Sequence, residues 1–333
     1  MSGEQTRTGR TALLALFGAG LMTPLPALAA DNLPTVGVLW HAGNADEETA
    51  FRVPLREGFS KLGYIEGKNI AFDECYAGEN AEGFKRCAAE LVERKVAILI
   101  APAIPSARAA QQLTSTIPIV LVANPDPVGL KFVASLSRPG GNITGLSSQT
   151  FDIMAKRVEV LKEGLPSAAH LGLLVSPSTS YEVARLLEQM QPALDKFQTT
   201  VEIVEARQPE DLAGAFRVMA DRKVDAAIVS QNAMYYNERK RIADLALEHH
   251  MPTMAPADLF VEAGALISYG PSWPPIFRNA ARFADKILKG ANPADLPIEQ
   301  PTVFELTINR RSATALGIEL PAPLLARADR VIE

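Results

Sequence analysis

Short apolar runs rich in Val, Ile and Leu alternate along the chain with longer segments whose apolar residues recur at helical spacing. Several runs are nearly continuous, which is typical of strands that are covered on both faces. In the longer segments, sets such as Leu55, Gly58, Phe59 and Leu62 form one apolar helix face. The predicted strands are Val36–Trp40, Ile70–Phe72, Val96–Ile100, Ile117–Val122, Leu171–Val175, Val201–Val204, Ala226–Val229 and Ala265–Ser268.

This alternation predicts βαβ units with right-handed crossovers, and therefore a doubly wound parallel α/β fold. The units are too many for one compact sheet, so we expect two lobes joined by a hinge of three crossings. Crossings are predicted at the Gly140-Gly141 turn, near Ala255 to Asp258, and near Pro297 to Pro301. The expected division is residues 30–146 plus 257–299 for lobe I and 147–256 plus 300–333 for lobe II.

The first residues have the order of a secretory signal peptide. Arg7 and Arg10 precede an apolar stretch, which ends in prolines and in the small-residue run from Ala27 to Ala30. The stretch is shorter than the roughly 20 apolar residues of a membrane-spanning helix. We therefore expect residues 1–29 to be cleaved, the mature chain to be periplasmic, and no part of it to be inserted in the membrane.

Composition narrows the class of protein further. The 333 residues are 47% hydrophobic and 21% charged, with a net charge of −5, so nucleic acid is not an expected partner. In an oxidising compartment a disulfide between Cys75 and Cys87, the chain's two cysteines, is favoured over a metal site or a nucleophile. We predict no metal site, no cofactor and a monomeric protein.

Candidate ligand-binding residues follow the predicted strands, because open α/β sheets bind ligands outside the carboxyl ends of their strands. Most of these residues are small or polar, with few titratable groups. Trp40, Tyr235 and Tyr236 also occupy positions from which a ring can stack on a flat ligand. The candidate ligand-binding residues are His41, Ala103, Asn124, Asp126, Ser176, Ser178, Gln231, Asn232 and Asp258.

Three of these residues have a structural interpretation as well as a functional one. Asp126 supplies a carboxylate for a ligand ammonium, or it caps a helix that begins at Pro127. Ser176 and Ser178 precede a helix near Tyr181, where hydroxyls and free N–H groups suit a ligand carboxylate or serve as helix caps.

Several long segments resemble one family of proteins. They include LGYIEGKNI, STIPIVLVANPDPVG, SLSRPGGNITGLS, FVEAGALISYGPS, FADKILKGANPADLPIEQPTVFELTINRRSATALGIELP and LLARADRVIE. In this order they resemble the ABC transporter substrate-binding proteins that include tryptophan and tyrosine binders. The resemblance implies a type I periplasmic-binding-protein fold, a ligand held between two lobes, and a partner permease with its ATPase.

An enzyme is not expected, because the chain lacks a G-x-x-x-x-G-K-S/T loop, a G-x-S-x-G elbow and an H-E-x-x-H motif. We predict a receptor that binds a small molecule, with an amino acid, aromatic in some relatives, as the first choice. The alternative is an exported ligand-sensing module that reports to a membrane receptor or kinase.

Overall fold

The computed structural model describes residues 33–177 and 180–333, and these form one compact unit. The predicted signal peptide and Ser178 lie outside the described residues. Within the unit, the strands form two separate sheets. The α/β fold with two parallel-sheet lobes is therefore confirmed.

The first lobe is built on a five-stranded sheet in the order β2-β1-β3-β4-β5, and all its described pairs are parallel. β3 and β4 are buried along their whole length, in agreement with their continuous apolar sequence. Its elements are β1 (Thr35–Trp40), α1 (Thr49–Lys61), β2 (Ala71–Tyr76), α2 (Ala81–Glu93), β3 (Ile98–Ala101), α3 (Ile104–Leu113), β4 (Ile119–Asn124) and β5 (Ile143–Ser147).

The second lobe is built on a seven-stranded sheet in the order β12-β11-β10-β9-β8-β6-β7. Its first part consists of α4 (Met154–Gly164), β6 (His170–Val175), α5 (Ser180–Phe197), β7 (Thr200–Glu205), α6 (Asp211–Asp221), β8 (Ala226–Val229), α7 (Ala233–Asn237), α8 (Arg239–Glu248), β9 (Thr253–Ala255), α9 (Asp258–Glu262) and β10 (Ile267–Pro271).

The C-terminal part serves both lobes. It consists of α10 (Trp273–Leu288), a 3₁₀ turn (Pro293–Asp295), β11 (Phe304–Asn309), α11 (Arg310–Ala315), α12 (Ala322–Arg327) and β12 (Arg330–Ile332). β11 is antiparallel to β10, whereas β12 is parallel to β11. β11 departs from the expected all-parallel sheet because the chain reaches it from the first lobe and not through a βαβ crossover.

The chain passes between the sheets three times, but one crossing differs from the prediction. β10 pairs with β9 and β11 in the second sheet, so residues 257–271 do not belong to lobe I. The chain crosses at Pro271 to Trp273 instead, and α10 then packs on α1 and on the first sheet. The other crossings follow β5 and Glu299, whose backbones are hydrogen-bonded side by side.

The contact between α1 and α10 depends on a glycine. A Cβ atom at Gly58 would lie 2.4 Å from the carbonyl oxygen of Arg278, closer than non-bonded atoms approach. Gly58 therefore lets the two helix backbones approach each other, and the apolar face of α10 is buried against the first lobe.

The edge strand β2 is held by one partly buried carboxylate and by a disulfide. Glu74 accepts hydrogen bonds from Arg52 (2.8 Å) and Tyr76 (3.2 Å) and lies 3.3 Å from the guanidinium of Arg56. Burial opposes ionisation of Glu74, but the two arginines outweigh it and lower the pKa of the carboxyl. On the other face, a disulfide joins Cys75 of β2 to Cys87 of α2, with Cα atoms 5.4 Å apart.

Candidate functional site

A cavity of about 340 Å³ lies between the two lobes, where the carboxyl ends of the central strands face each other. This is the position at which open α/β sheets bind ligands. Its lining residues are His41, Glu48, Phe51, Glu79, Ala81, Phe84, Pro102, Ala103, Ile104, Pro105, Ala123, Pro125, Ser176, Pro177, Glu182, Arg207, Gln231, Asn232, Ala233, Met234, Tyr236, Trp273 and Phe277.

Five of the predicted site residues line this cavity: His41, Ala103, Ser176, Gln231 and Asn232. His41 is almost fully buried and connects the two lobes. Its Nδ1 lies 2.8 Å from Oε1 of Glu48, and its Nε2 lies 3.1 Å from the carbonyl oxygen of Ala233 across the cleft.

Gln231 and Asn232 have their hydrogen-bonding capacity committed to the protein. The Gln231 side chain accepts from Ser148 (3.1 Å) and from Thr150, and it donates to the carbonyl oxygen of Ala123 (3.1 Å). Asn232 caps α7 at Met234 and donates to Ser176. Gln231 therefore ties the second lobe to the end of β4 in the first, and these amides shape the cavity.

The carbonyl that Gln231 binds belongs to a residue in an unusual backbone conformation. Ala123 has φ of 60°, in the left-handed region that non-glycine residues seldom adopt. The register between β4 and β5 shifts at the same place, between Leu121 and Asn124. Such strain is held in place by surrounding contacts and concentrates at ligand sites.

Three predicted site residues do not line the cavity. Asn124 is buried, and its side-chain oxygen accepts from the backbone N–H of Asp126 at 3.2 Å. Asp258 begins α9 in the second lobe and lies 3.9 Å from Arg330, away from the cleft. Asp258 follows the end of β9, as the sequence indicated, but it is not part of the cavity lining.

Asp126, the strongest candidate from the sequence, is engaged by other parts of the protein. One carboxylate oxygen accepts from the backbone N–H of Gly129 at 2.8 Å, but residues 127–130 form a turn and not the helix that was predicted to begin at Pro127. The other accepts a hydrogen bond from the hydroxyl of Tyr181 on α5, and Arg185 lies 4.0 Å away. Asp126 thus connects the first lobe to the second at the side of the cleft, and the structure does not bring it to the cavity wall.

The residues that sequence analysis missed are the acids and most of the rings of the cavity wall. Glu48 precedes α1, Glu79 follows β2, and Glu182 lies on the first turn of α5. Glu48 and Glu79 were overlooked because they lie several residues past the apolar runs. Their place in the loops that connect a strand to the following helix is the signal in the sequence that could have identified them.

The rings form one connected wall across both lobes. Phe51 of α1 lies 4.9 Å from Phe277 of α10 and 5.6 Å from Tyr236 of α7, measured between ring centroids. Tyr236 in turn meets Trp273 edge to face at 5.8 Å. Of the three predicted stacking residues, Tyr236 is therefore in the cavity, whereas Trp40 and Tyr235 are core residues.

Burial dominates the electrostatics of the wall. Burial raises the pKa of Glu79, although a hydrogen bond from Asn237 across the cleft opposes that shift. Burial also raises the pKa of Tyr236, and the nearby charge of Arg157 opposes it. Arg157 is itself fully buried, bonded to the carbonyl oxygens of Tyr269 and Pro256, and burial lowers its pKa to about 10.

Within residues 33–177 and 180–333, no cluster of three His, Cys, Asp or Glu side chains could bind a metal ion. No helix in the same residues has both the length and the apolar character to cross a bilayer.

A family model described as "ABC transporter substrate binding protein" matches residues 44–332, which is most of the chain and includes every residue of the cavity lining except His41. The chain belongs to this family. Its members are solute-binding proteins, so the cavity is a candidate ligand site.

This substrate-binding protein is also similar to individual proteins over most of its length. A tyrosine-binding protein of Clostridioides difficile is 26% identical over 273 residues, covering 79% of this chain and 76% of the relative. A conserved domain protein from Vibrio cholerae O1 biovar eltor has a TM-score of 0.83 at 30% identity, over 90% of this chain and all of the other. An ABC domain from Streptococcus pneumonia in complex with L-Trp has a TM-score of 0.82 at 24% identity, with the same coverage.

Proposed function

We propose that this substrate-binding protein is the exported receptor of an ABC-type importer. It captures an amino acid, preferably an aromatic one, in the interlobe cavity and delivers it to a permease with its ATPase. The observation that carries the proposal is the cavity itself, which combines a wall of aromatic rings with buried carboxylates between two lobes. Relatives named for tyrosine and L-Trp support the choice of ligand.

Delivery requires that the membrane partner distinguish the loaded receptor from the empty one. The hydrogen bonds from Tyr181 to Asp126 and from Asn237 to Glu79 join the lobes across the cleft, so they exist only when the lobes are closed. A ligand that touches both walls favours the closed form and makes its surface readable by the permease.

Calorimetric titration of the mature protein with the twenty amino acids tests the binding step. We expect tight binding of L-tryptophan or L-tyrosine and weak or no binding of acidic and small amino acids. The transport step is tested by deleting the gene and measuring uptake of the bound amino acid. Binding without any uptake defect would favour the sensing module, and binding of no amino acid would contradict the proposal.

A further inference from the structure

The polar groups of the cavity wall differ in how far the protein itself satisfies them. The amides of Gln231 and Asn232 are bonded at both ends, His41 faces an oxygen at each ring nitrogen, and Glu79 accepts from Asn237. Buried polar groups in native proteins are almost always satisfied in this way. A group on the wall that remains unsatisfied therefore marks where a ligand is expected to make its polar contact.

Glu48 is the charged group of this kind, beside the neutral hydroxyl of Tyr236 and Nε1 of Trp273. It is fully buried, and its Oε1 accepts from the backbone N–H groups of His41 (3.0 Å) and Ala42 (2.9 Å) as well as facing Nδ1 of His41. Its Oε2 is equally buried and has no hydrogen-bond partner among the described residues. A buried carboxylate with one oxygen unpaired is costly, and a cation supplied by the ligand removes that cost.

The surroundings of Glu48 favour an ammonium group over other cations. Phe51 follows it by one turn of α1 and joins the ring wall formed with Tyr236, Trp273 and Phe277. Ring faces attract ammonium groups, and the same rings offer a flat apolar surface to the remainder of the ligand. No cluster in the described residues has the ligands for a metal ion, which leaves an organic amine as the cation that fits.

We propose that Oε2 of Glu48 binds the ammonium group of the ligand, and that the ligand is a primary amine carrying a flat apolar side chain. This inference rests on the proposed function and adds the residue that selects for the amine. It assigns ammonium binding to Glu48 and not to Asp126, whose carboxylate accepts hydrogen bonds from Gly129 and Tyr181.

The test is a thermodynamic cycle between the protein and its ligand. Glu48→Gln keeps an oxygen to accept from His41 and Ala42 and removes only the charge. Whichever of L-tyrosine and L-tryptophan binds the wild type is titrated into each protein, together with its analogue lacking the amine, 3-(4-hydroxyphenyl)propionate or indole-3-propionate. E48Q should weaken binding of the amino acid at least about 30-fold and of the deaminated acid less than about threefold.

The matched control is Glu47→Gln. Glu47 is the neighbouring acid in the same loop, exposed and outside the cavity, with its carboxylate bonded to Gly43 and Asn44. E47Q removes the same charge and should leave both affinities within about threefold of the wild type. An equal loss in E47Q would mean that net charge, and not Glu48, decides affinity.

A crystal structure of the wild type with the bound amino acid provides a second measurement that does not depend on a variant folding. The ammonium nitrogen should lie within hydrogen-bonding distance of Oε2 of Glu48. A nitrogen at Glu79, Glu182 or Asp126, or undiminished binding by folded E48Q, would overturn the inference while leaving the proposed function intact. Failure of the wild type to bind any amino acid would overturn both.

Discussion

The two lobes contribute to the cavity in different ways. The first lobe supplies groups that its own backbone holds in place, such as Glu48, which is fixed by His41 and Ala42, and Phe277 on α10, which is packed against Phe51. The second lobe supplies groups such as Gln231, whose side chain is hydrogen-bonded to Ala123 at the end of β4 and to Ser148, which follows β5. The first wall is therefore formed before the lobes close, whereas the part of the second wall that Gln231 forms depends on closure.

This difference indicates an order of events in which the ligand meets the first lobe and the second lobe then closes over it. The same difference predicts two kinds of variant with different effects. Changes inside the first lobe should alter the unfolding of the empty protein, whereas changes to groups that cross the cleft should alter ligand affinity. The following predictions, in order of decreasing effect, test that separation.

The largest effect is expected from the disulfide. Replacing Cys75 and Cys87 by Ser removes a crosslink across a sequence separation of 12 residues, which should lower the free energy of unfolding by about 3 kcal/mol. Thermal or urea unfolding of the oxidised wild type and the double variant measures this. Because both residues lie outside the cavity wall, affinity should be unchanged, and a parallel loss of affinity would contradict the separation.

The second largest effect is expected from Glu74, the partly buried carboxylate of β2. Glu74→Gln weakens charged hydrogen bonds to Arg52 and Arg56, so the free energy of unfolding at pH 7 should fall by about 1.5–3 kcal/mol. Urea unfolding of the empty protein at pH 7 checks this value. Ligand affinity should again change little.

The stabilisation that Glu74 provides can also be tested by lowering the pH. Because the folded-state pKa of Glu74 is lowered, its stabilisation is present above the ordinary value of about 4.3 and is lost as the pH falls through the lower folded value. E74Q should therefore lose less stability than the wild type below about pH 4.3. Parallel pH profiles for the two proteins would show that Glu74 is not stabilised by its arginines.

The smallest effect is expected from a hydrogen bond that crosses the cleft between the lobes. Tyr181→Phe removes the hydroxyl that reaches Asp126 from the other lobe, and it should weaken ligand binding by about 0.5–1.5 kcal/mol, or roughly twofold to tenfold. The melting temperature without ligand should barely change. Calorimetric titration with the amino acid that binds the wild type measures the loss.

Tyr64→Phe is the matched control for Tyr181→Phe. Its hydroxyl donates to Asp285 at 3.0 Å, also a tyrosine–aspartate bond, but both residues belong to the first lobe. Y64F should lower the stability of the empty protein and leave affinity intact. If both variants affected the same quantity, the proposed division between a preformed wall and a closing wall would be wrong.

Sequence analysis predicted the fold from features that are local. Continuous apolar runs at β3, β4, β6 and β8 reflect burial on both faces, and turns and helix faces separate them clearly. The position of α10 was harder to predict from the sequence, because the strand before it is short and ends in Pro271. A proline at that position is typical of a loop. Nothing in the local sequence shows that β10 lies within the second sheet, between β9 and β11.

The site was predicted only in part because strand ends locate the cavity without showing which side chains enter it. Ala103 and Ser176 lie directly after strands and reach the wall. Asp126 also follows a strand, but hydrogen bonds from Gly129 in the next turn and from the distant Tyr181 hold its carboxylate away from the cavity. The position of Glu48 depends on the loop of residues 41–48, which folds back so that Glu48 contacts His41, and local sequence does not reveal this.

The placement of α10 has a consequence for the order in which the molecule folds. The first sheet ends at Ser147, but the helix that covers one of its faces begins at Trp273, after most of the second lobe has been made. A chain ending near residue 150 would expose the surface that normally receives α10, including the notch at Gly58. We therefore expect such a fragment to aggregate, and a fragment that joins residues 33–150 directly to 272–299 to be the smallest soluble form of the first lobe.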